Sequence, residues 1–492
     1  MSVVIALDAG TTGVRALAIG EDGLIKGWKY QEFTQHFPQP GWVEHDAEEI
    51  WTALCAVIAE LVPTLDDDVA AIGITNQRET VVAWDKRTGK ALHRAIVWQD
   101  RRTADFCAQL EADGHLAMVR NRTGLGLDPY FSATKMHWLL TTGGVIADEH
   151  LALGTIDAWL MWKLSSGEIF ATEPSNASRT LLFDIRHLSW SGELCELFGV
   201  PIAALPEVRP SSGRFGVTSD VTALGPGIPI SGVAGDQQAA LFGQACFEPG
   251  MTKNTFGTGS FLLMNVGTTC PEPVEGLLTT VAWTLGENQS ATYAYEGSIF
   301  ATGAAIQWLR DGLGIITEAS EIGPLAASVN STGDVYLVPA FAGLGSPWWD
   351  PHARGTIVGI TRGTGRAELA RAVVESMAYQ VRGVVDAMSK GSGQKLAELR
   401  VDGGASVMDL LLQLQADQLG VPVTRPKMQE TTALGAAYLA GLAEGVWTSL
   451  DDVTNAWAVD TSKQPNPDRS VADATYARWL EAVDRSKSWA NS

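Results

Sequence analysis

Val3-Val-Ile-Ala-Leu-Asp8-Ala-Gly-Thr-Thr-Gly13-Val-Arg15-Ala-Leu-Ala-Ile19 decides how the rest of the chain is read. An apolar run, a turn of Gly and Thr, and a second apolar run make a β-hairpin. Glu21-Asp22-Gly23 marks another turn, so an antiparallel meander follows. The plan returns near residue 251: strand-like Met251 to Phe256, a Gly257-Thr-Gly259 turn, then Phe261 to Val266. Two domains of one design are therefore expected, at 1–245 and 246–492.

Working outward, Asp46-Ala-Glu-Glu49 opens a helix in capping-box fashion, with Trp51, Leu54, Cys55, Ile58 and Leu61 on one face and Pro63 stopping it. Val69 to Ile74 reads as a buried strand, Lys86-Arg-Thr-Gly89 as a hairpin tip and Ala95 to Trp98 as another strand. In the second half, helices are expected at 299–312, 367–390, 406–419 and 432–445, with strands at 335–339 and 399–402. Ser211 to Pro229 is rich in Gly, Ser and Pro and reads as a surface loop. Strands and helices interleave in both halves, which gives the α/β class.

Composition narrows the function. Of 492 residues, 46% are hydrophobic and 18% charged, enough core material for a globular chain. The net charge of −21 argues against nucleic acid and against insertion at an anionic membrane, both of which need basic surface. Cys55, Cys107, Cys195, Cys246 and Cys270 are dispersed, a poor disulfide framework and a poor zinc site. The N-terminus has no basic leader region, and no run approaches the ~18 apolar residues of a membrane span. A soluble, cytoplasmic chain is expected.

Several segments could carry chemistry. The Asp8–Gly13 turn is either an ordinary hairpin tip or an anion-binding concavity, with the Thr11 and Thr12 hydroxyls and Arg15 available to a phosphate. In the second case Asp8 is a carboxylate suited to hydrated Mg²⁺. Two more glycine turns, Phe256-Gly-Thr-Gly-Ser260 and Val401-Asp-Gly-Gly-Ala405, favour a nucleotide held between two domains. Neither a Walker loop nor a G-x-G-x-x-G opening a βαβ unit is present. Arg78-Glu79 at a strand end is either a surface ion pair or a donor–acceptor pair for the vicinal hydroxyls of a polyol. Asp236, ahead of an apolar helix, is either its N-cap or a reactive carboxylate.

Taken in order, these motifs resemble the FGGY carbohydrate kinase family, on its glycerol-phosphorylating branch, over nearly the whole chain. The likeness rests on Gly41-Trp-Val-Glu-His-Asp46, Ile74-Thr-Asn-Gln-Arg-Glu-Thr80, Val97-Trp-Gln-Asp-Arg-Arg-Thr103, Asp128-Pro-Tyr-Phe-Ser132, Asn176-Ala-Ser-Arg-Thr180 and Ala234 to Gly243. It continues through Asn254 to Gly259, Gly303-Ala-Ala-Ile-Gln-Trp-Leu-Arg310, Gly343-Leu-Gly-Ser-Pro-Trp-Trp-Asp350 and Leu399 to Ala405.

The resemblance implies two ribonuclease-H/actin-like ATPase domains closing on an interdomain cleft. It implies ATP-dependent phosphorylation of glycerol to sn-glycerol 3-phosphate, with Mg²⁺ held by Asp8, and an assembly as homodimer or homotetramer. By the same resemblance Arg78, Glu79, Tyr130, Asp236 and Gln237 hydrogen-bond glycerol, and Trp98 and Phe261 cover its carbon face. Thr11, Thr12, Gly13 and Arg15 meet the phosphates. Thr258, Gly303, Gln307, Gly404 and Met408 line the nucleotide site. Asp236 becomes the general base, with Asp8 and Arg15 assisting. Alternatives are a kinase for another small polyol or ketose (erythritol, xylulose or dihydroxyacetone), an actin-like or chaperone-type ATPase, or a non-catalytic sensor.

The chain departs from the family pattern in places. Ala9 stands where the family usually has Gln, Gly13 where it has a hydroxyl residue, and Met408 where many members have Asn. Phe215 to Pro229 lacks the Gly-Gly-Lys-Gly-Gly-Thr-Arg loop that binds fructose 1,6-bisphosphate in some bacterial members. The histidine that the phosphotransferase system phosphorylates in others is also missing. Neither control is expected to act here.

Overall fold

In a computed structural model, which describes residues 2–287 and 289–490, β1 (Ser2–Ala9) and β2 (Gly13–Gly20) form the expected hairpin. β3 (Ile25–Glu32) extends it as an antiparallel meander. α1 (Ala47–Leu61) begins at Asp46, whose carboxylate accepts a hydrogen bond from the Glu48 N–H at 2.9 Å. Its buried face is Ile50, Ala53, Leu54, Val57, Ile58 and Leu61. Trp51 and Cys55, expected on that face, are only half-buried, so the apolar stripe is rotated by about one position.

β4 (Asp68–Asn76) lies parallel to β1. β5 (Ser212–Val217) pairs antiparallel with β6 (Pro229–Gly235), which runs parallel to β4. The six strands stand in the order β5-β6-β4-β1-β2-β3, and α2 (Asp236–Gly243) follows β6 directly. The reading of Ser211–Pro229 as loop throughout is thus wrong for its first third. Phe215 is buried in the core of this lobe, and the Ser212 hydroxyl donates to the Leu439 carbonyl at 2.7 Å. Pairing with Pro229–Gly235, more than ten residues on, makes this segment a strand, and composition does not show such a partner. Ala95 to Trp98 is likewise strand only at Ala95–Ile96.

The second lobe repeats the arrangement. β7 (Thr252–Phe256) and β8 (Ser260–Gly267) form the hairpin. β9 (Leu278–Trp283) and β10 (Thr292–Ile299) continue it on one side, and β11 (Leu399–Gly403), β12 (Val423–Pro426) and β13 (Val459–Lys463) on the other. The order is β9-β10-β8-β7-β11-β12-β13, with β7, β11 and β12 parallel and β13 an antiparallel edge. Hairpin, third antiparallel strand, two parallel strands and an antiparallel edge therefore occur in the same order in both sheets.

The helices of this lobe differ from expectation at their starts. Ile299 belongs to β10, so the first helix shortens to α3 (Gly303–Gln307) and widens into a π-turn over Trp308–Gly312. α4 (Arg366–Ser392) is as expected, while α5 (Asp409–Leu419) starts three residues late because Gly404–Val407 form a 3₁₀ turn. α6 (Thr431–Ala443) comes from the second half of the chain but lies on the first sheet. A Cβ at Gly435 would overlap the backbone of Ala239 in α2, so glycine is what lets the two helices touch. Val4, Ala6, Leu17 and Phe242 join Leu263, Ala282, Leu434 and Leu439 in one apolar core. The lobes are welded on that side.

Candidate active site

Strand register builds the site. Ala9 and Gly235 both stand opposite Asn76, so β1, β4 and β6 end at one level. The residues just beyond them, Gly10 to Thr12, Gln77 to Glu79 and Asp236, share one edge of the sheet. In the second sheet Phe256 stands opposite Gly403, which sets the Gly257–Gly259 turn beside Gly404. Ligands of open α/β sheets bind outside such carboxyl ends.

The centre is a buried hub around Arg78, so Arg78 and Glu79 are not a surface pair: each is 2% exposed. Arg78 Nη1 donates to Glu296 Oε2 at 2.5 Å and Gln238 Oε1 at 3.2 Å. Its Nη2 donates to Glu296 Oε1 and to the Tyr130 hydroxyl oxygen, both at 3.0 Å. Its Nε faces Asp236 Oδ1 at 3.3 Å and Glu79 Oε1 at 3.6 Å. Arg179, fully buried, donates from Nε to Glu79 Oε1 at 2.7 Å and from Nη2 to Glu296 Oε1 at 3.1 Å. Two guanidinium and two carboxylate groups thus neutralise one another, the condition under which charge can be buried at all. Glu296 shows the balance: burial pushes its carboxyl up, but Arg179 and Arg78 outweigh it and hold it at about 2.

Asp236 is the first residue of α2, with Gly235 as the cap. The N-cap reading is therefore displaced by one position. Its Oδ1 accepts the Gln237 N–H at 2.7 Å and faces Arg78, while no hydrogen bond engages Oδ2 among the described residues. Burial, reinforced by Glu79, raises its pKa against the pull of Arg78 and Lys253. A half-exposed carboxylate with one oxygen anchored and one open is a competent proton acceptor.

At the first turn, Asp8 and Arg15 are direct cross-strand partners and form an ion pair of 3.0 Å. Arg15 also holds Glu430, just ahead of α6, at 2.5 Å. Burial pushes the Asp8 carboxyl up to about 6; Arg15 opposes this, and Asp236 and Glu430 add to it. Asp8 is a hard oxygen donor in a region of excess negative charge, which fits a divalent cation such as Mg²⁺. Among the described residues no group of three or more His, Cys, Asp or Glu side chains could hold a metal unaided, so water and phosphate would supply its other ligands. The Gly10 and Thr11 carbonyls are tied back by Gln77 Nε2 at 3.0 Å and Gln35 Nε2 at 2.9 Å, and Thr12 is exposed. Gly13 has a packing cause. A Cβ there would lie 2.6 Å from the Tyr30 ring and 2.7 Å from the Gln31 carbonyl oxygen, so Gly13 and Tyr30 are a matched pair.

Trp98 donates from Nε1 to Thr11 Oγ1 at 3.0 Å and meets Tyr130 edge-on at 5.6 Å, linking the turn to the Arg78 hub. Across the cleft, Lys253 on β7 donates to Gln237 Oε1, to Thr255 Oγ1 at 3.0 Å and to the Phe261 carbonyl at 3.2 Å. Lys253 thereby joins Gln237 to Phe261. With Oε1 taken, Gln237 presents its amide N–H groups. Thr258 and Gly303 are adjacent: Ala304 donates to the Thr258 carbonyl at 2.9 Å and Gly303 to Gly257 at 3.1 Å. Gly404 is exposed beside them in the sheet register. Gln307 is exposed on α3, and Met408 packs against the lobe core near Gly323. Neither has a contact that ties it to the polyol group.

Sequence reading assigned no role to Glu296, Lys253, Glu430 or Gln238, and Arg179 entered only within a motif. Glu296 and Lys253 did carry a signal. Each is the single charged residue of its strand, and a buried charge needs a partner.

Two sheets that share six strands in one order, the second with β9 added at its edge, face each other across a charged cleft edged with glycine turns and define a two-lobed kinase of the actin-like ATPase type. The models for the N-terminal and C-terminal domains of the FGGY family of carbohydrate kinases match residues 3–243 and 252–444, and the chain belongs to that family. It is 54% identical over 496 residues to a glycerol kinase of Dechloromonas aromatica, covering 99% of this chain and 98% of that one. It is 52% identical over 497 residues to glycerol kinase 2 of Thermotoga maritima, covering 99% of both. The crystal structure of Plasmodium falciparum glycerol kinase with ADP matches at TM-score 0.94 and 35% identity, over 99% of this chain and 98% of that one. No helix among the described residues is long and apolar enough to cross a membrane.

Proposed function

We propose that this chain transfers the γ-phosphoryl group of ATP to glycerol, giving sn-glycerol 3-phosphate, as a step of glycerol catabolism. The observation that carries the reading is the Arg78 hub, which gathers Glu79, Tyr130 and Asp236 at the strand ends. Asp236 Oδ2 takes the proton of the terminal hydroxyl as its oxygen attacks phosphorus. The Gln237 amide donates to glycerol oxygens, and Glu79 and the Tyr130 hydroxyl accept from its O–H groups. Arg78 hydrogen-bonds glycerol with them and also orients the set through its contacts with Glu296, Gln238, Tyr130 and Asp236. Trp98 and Phe261 cover the carbon face and leave little room beyond three carbons.

Phosphoryl transfer depends mostly on positioning and charge stabilisation. Thr11, Thr12, Gly13 and Arg15 serve the phosphates, and Thr258, Gly303, Gln307, Gly404 and Met408 the rest of the nucleotide. Asp8 would hold Mg²⁺, which when bound neutralises the β- and γ-phosphate oxygens. Lobes 1–245 and 246–492 close over the substrates and exclude water, a competing nucleophile. We assign the protein to the cytoplasm, as a homodimer or homotetramer.

The deciding experiment is an ADP-release assay across a substrate panel. Glycerol is expected to give the highest kcat/KM, and a higher value for a pentulose, erythritol or dihydroxyacetone overturns the assignment.

Two further results are expected from this geometry. Glu430 competes with phosphate for Arg15, so Glu430→Gln should lower the KM for ATP by up to about fivefold, the scale of a partly exposed ion pair. Titrating initial rates against ATP checks this. Burial pulls the Lys253 pKa down to about 8, against Asp402, Asp236 and Glu296, so its ammonium is lost as the pH rises through that value. The grip on Gln237 goes with it, and the KM for glycerol should climb about tenfold between neutral and alkaline pH, the scale of a charge-assisted hydrogen bond. In Lys253→Met the KM should be high at neutral pH and flat across the range.

A further inference from the structure

We infer that Glu296, from the second lobe, is a positioning residue for the polyol site on the first. It sits in the middle of β10, opposite Leu263 of β8 and Leu278 of β9, and is fully buried. It touches no surface from which a substrate could approach. Its two oxygens meet the two terminal nitrogens of Arg78 at 2.5 and 3.0 Å, an end-on fork that fixes the guanidinium plane as well as its place. Once that plane is fixed, Nε is aimed at the gap between Asp236 Oδ1 and Glu79 Oε1. One carboxylate on the far lobe thus sets the bearing of a side chain that in turn holds the general base, Glu79 and the Tyr130 hydroxyl.

Among the partners of Arg78, Glu296 is the one whose two oxygens meet both terminal nitrogens. Gly235 lets the Arg78 stem pass close to the β6 backbone, since a Cβ there would lie 2.6 Å from Arg78 Cγ, but it offers the guanidinium no acceptor. Gln238 provides a neutral acceptor at 3.2 Å, and the amide of Gln238 is itself shared with Thr280 at 3.0 Å. Arg179 reaches the same Glu296 oxygen at 3.1 Å and cannot replace it, being a cation like Arg78. Glu296 therefore converts the seating of the lobes into the geometry of the glycerol-binding groups. The ATP side does not depend on Glu296, because Arg15 takes its partners from Asp8 and Glu430.

This inference rests on the polyol-kinase reading, and its test separates the two. Full-length Glu296→Asp keeps the charge but draws the fork back by one methylene, while Glu296→Gln keeps the length and loses the charge. Because misplacement by about 1 Å costs up to about 100-fold, kcat/KM for glycerol should fall roughly 10- to 100-fold in Glu296→Asp, carried largely by KM. The KM for ATP should stay within about twofold and the melting temperature within about 3 °C. Glu296→Gln should show the same split of KM values with a larger fall, and a melting midpoint lower by about 6–10 °C because it leaves Arg78 and Arg179 facing Glu79. If glycerol KM is unmoved in the folded Asp variant, or if both KM values rise together, Glu296 only joins the lobes and the inference is overturned. A wild-type protein that prefers another polyol overturns the glycerol assignment instead, and the split is then read with that polyol.

Discussion

Asp236→Asn lowers the turnover of glycerol phosphorylation by about 10²- to 10⁴-fold, the usual contribution of a positioned general base. At about 1.4 kcal/mol per factor of ten, that corresponds to roughly 3–5 kcal/mol of transition-state stabilisation. The effect belongs in kcat. Asparagine keeps an oxygen for the Gln237 N–H and for Arg78, so the architecture of the site survives, but it has no carboxylate to take up the hydroxyl proton. Folding changes little, since the side chain is partly exposed and its electrostatic help to the first turn of α2 is worth about 0.3–1 kcal/mol. Steady-state kinetics alongside thermal melting make the comparison. Unchanged turnover in a folded Asp236→Asn protein removes Asp236 from the mechanism.

Arg179→Met acts through stability. Arg179 is fully enclosed, bonds to Glu79 and Glu296, and lies over the rings of Tyr130 and Phe131 at 5.5 and 5.3 Å. Removing it leaves two buried carboxylates facing Arg78 alone. Breaking a buried ion pair from one side costs about 3–5 kcal/mol, several times the loss from a surface pair. At about 2 °C per kcal/mol for a lobe of this size, the melting midpoint should drop by about 6–10 °C. Arg179→Lys keeps the charge but not the fork and should fall in between. A midpoint that moves by less than about 2 °C in Arg179→Met would show that the four charges are not mutually dependent.

Local patterns carried much of this molecule. The hairpin at 2–20 and its repeat at 252–267 were legible because apolar alternation and a Gly/Thr turn are properties of adjacent residues. Helix starts were less secure. At 299–312 and 406–419 the apolar spacing suits a helix, yet strand pairing claims Ile299 and a 3₁₀ turn claims Gly404–Val407. The Ser211–Pro229 stretch differs for a related reason: its composition suits a loop, yet pairing with Pro229–Gly235 makes Ser212–Val217 a strand.

From the sequence alone came the α/β class, the twofold plan and the residue types needed at the site: a glycine turn, an Arg–Glu pair and an aspartate ahead of a helix. These depend on spacing within a few residues, where the covalent chain fixes proximity. Only the tertiary structure decided that Arg78 and Glu79 are enclosed, and that Arg78 is gripped by Glu296 from 218 residues away. It likewise brought Lys253 to Gln237 and Glu430 to Arg15. Charge pairing across the lobes depends on distance in space and on exclusion of water, and neither exists until both sheets have formed and the core between them has closed.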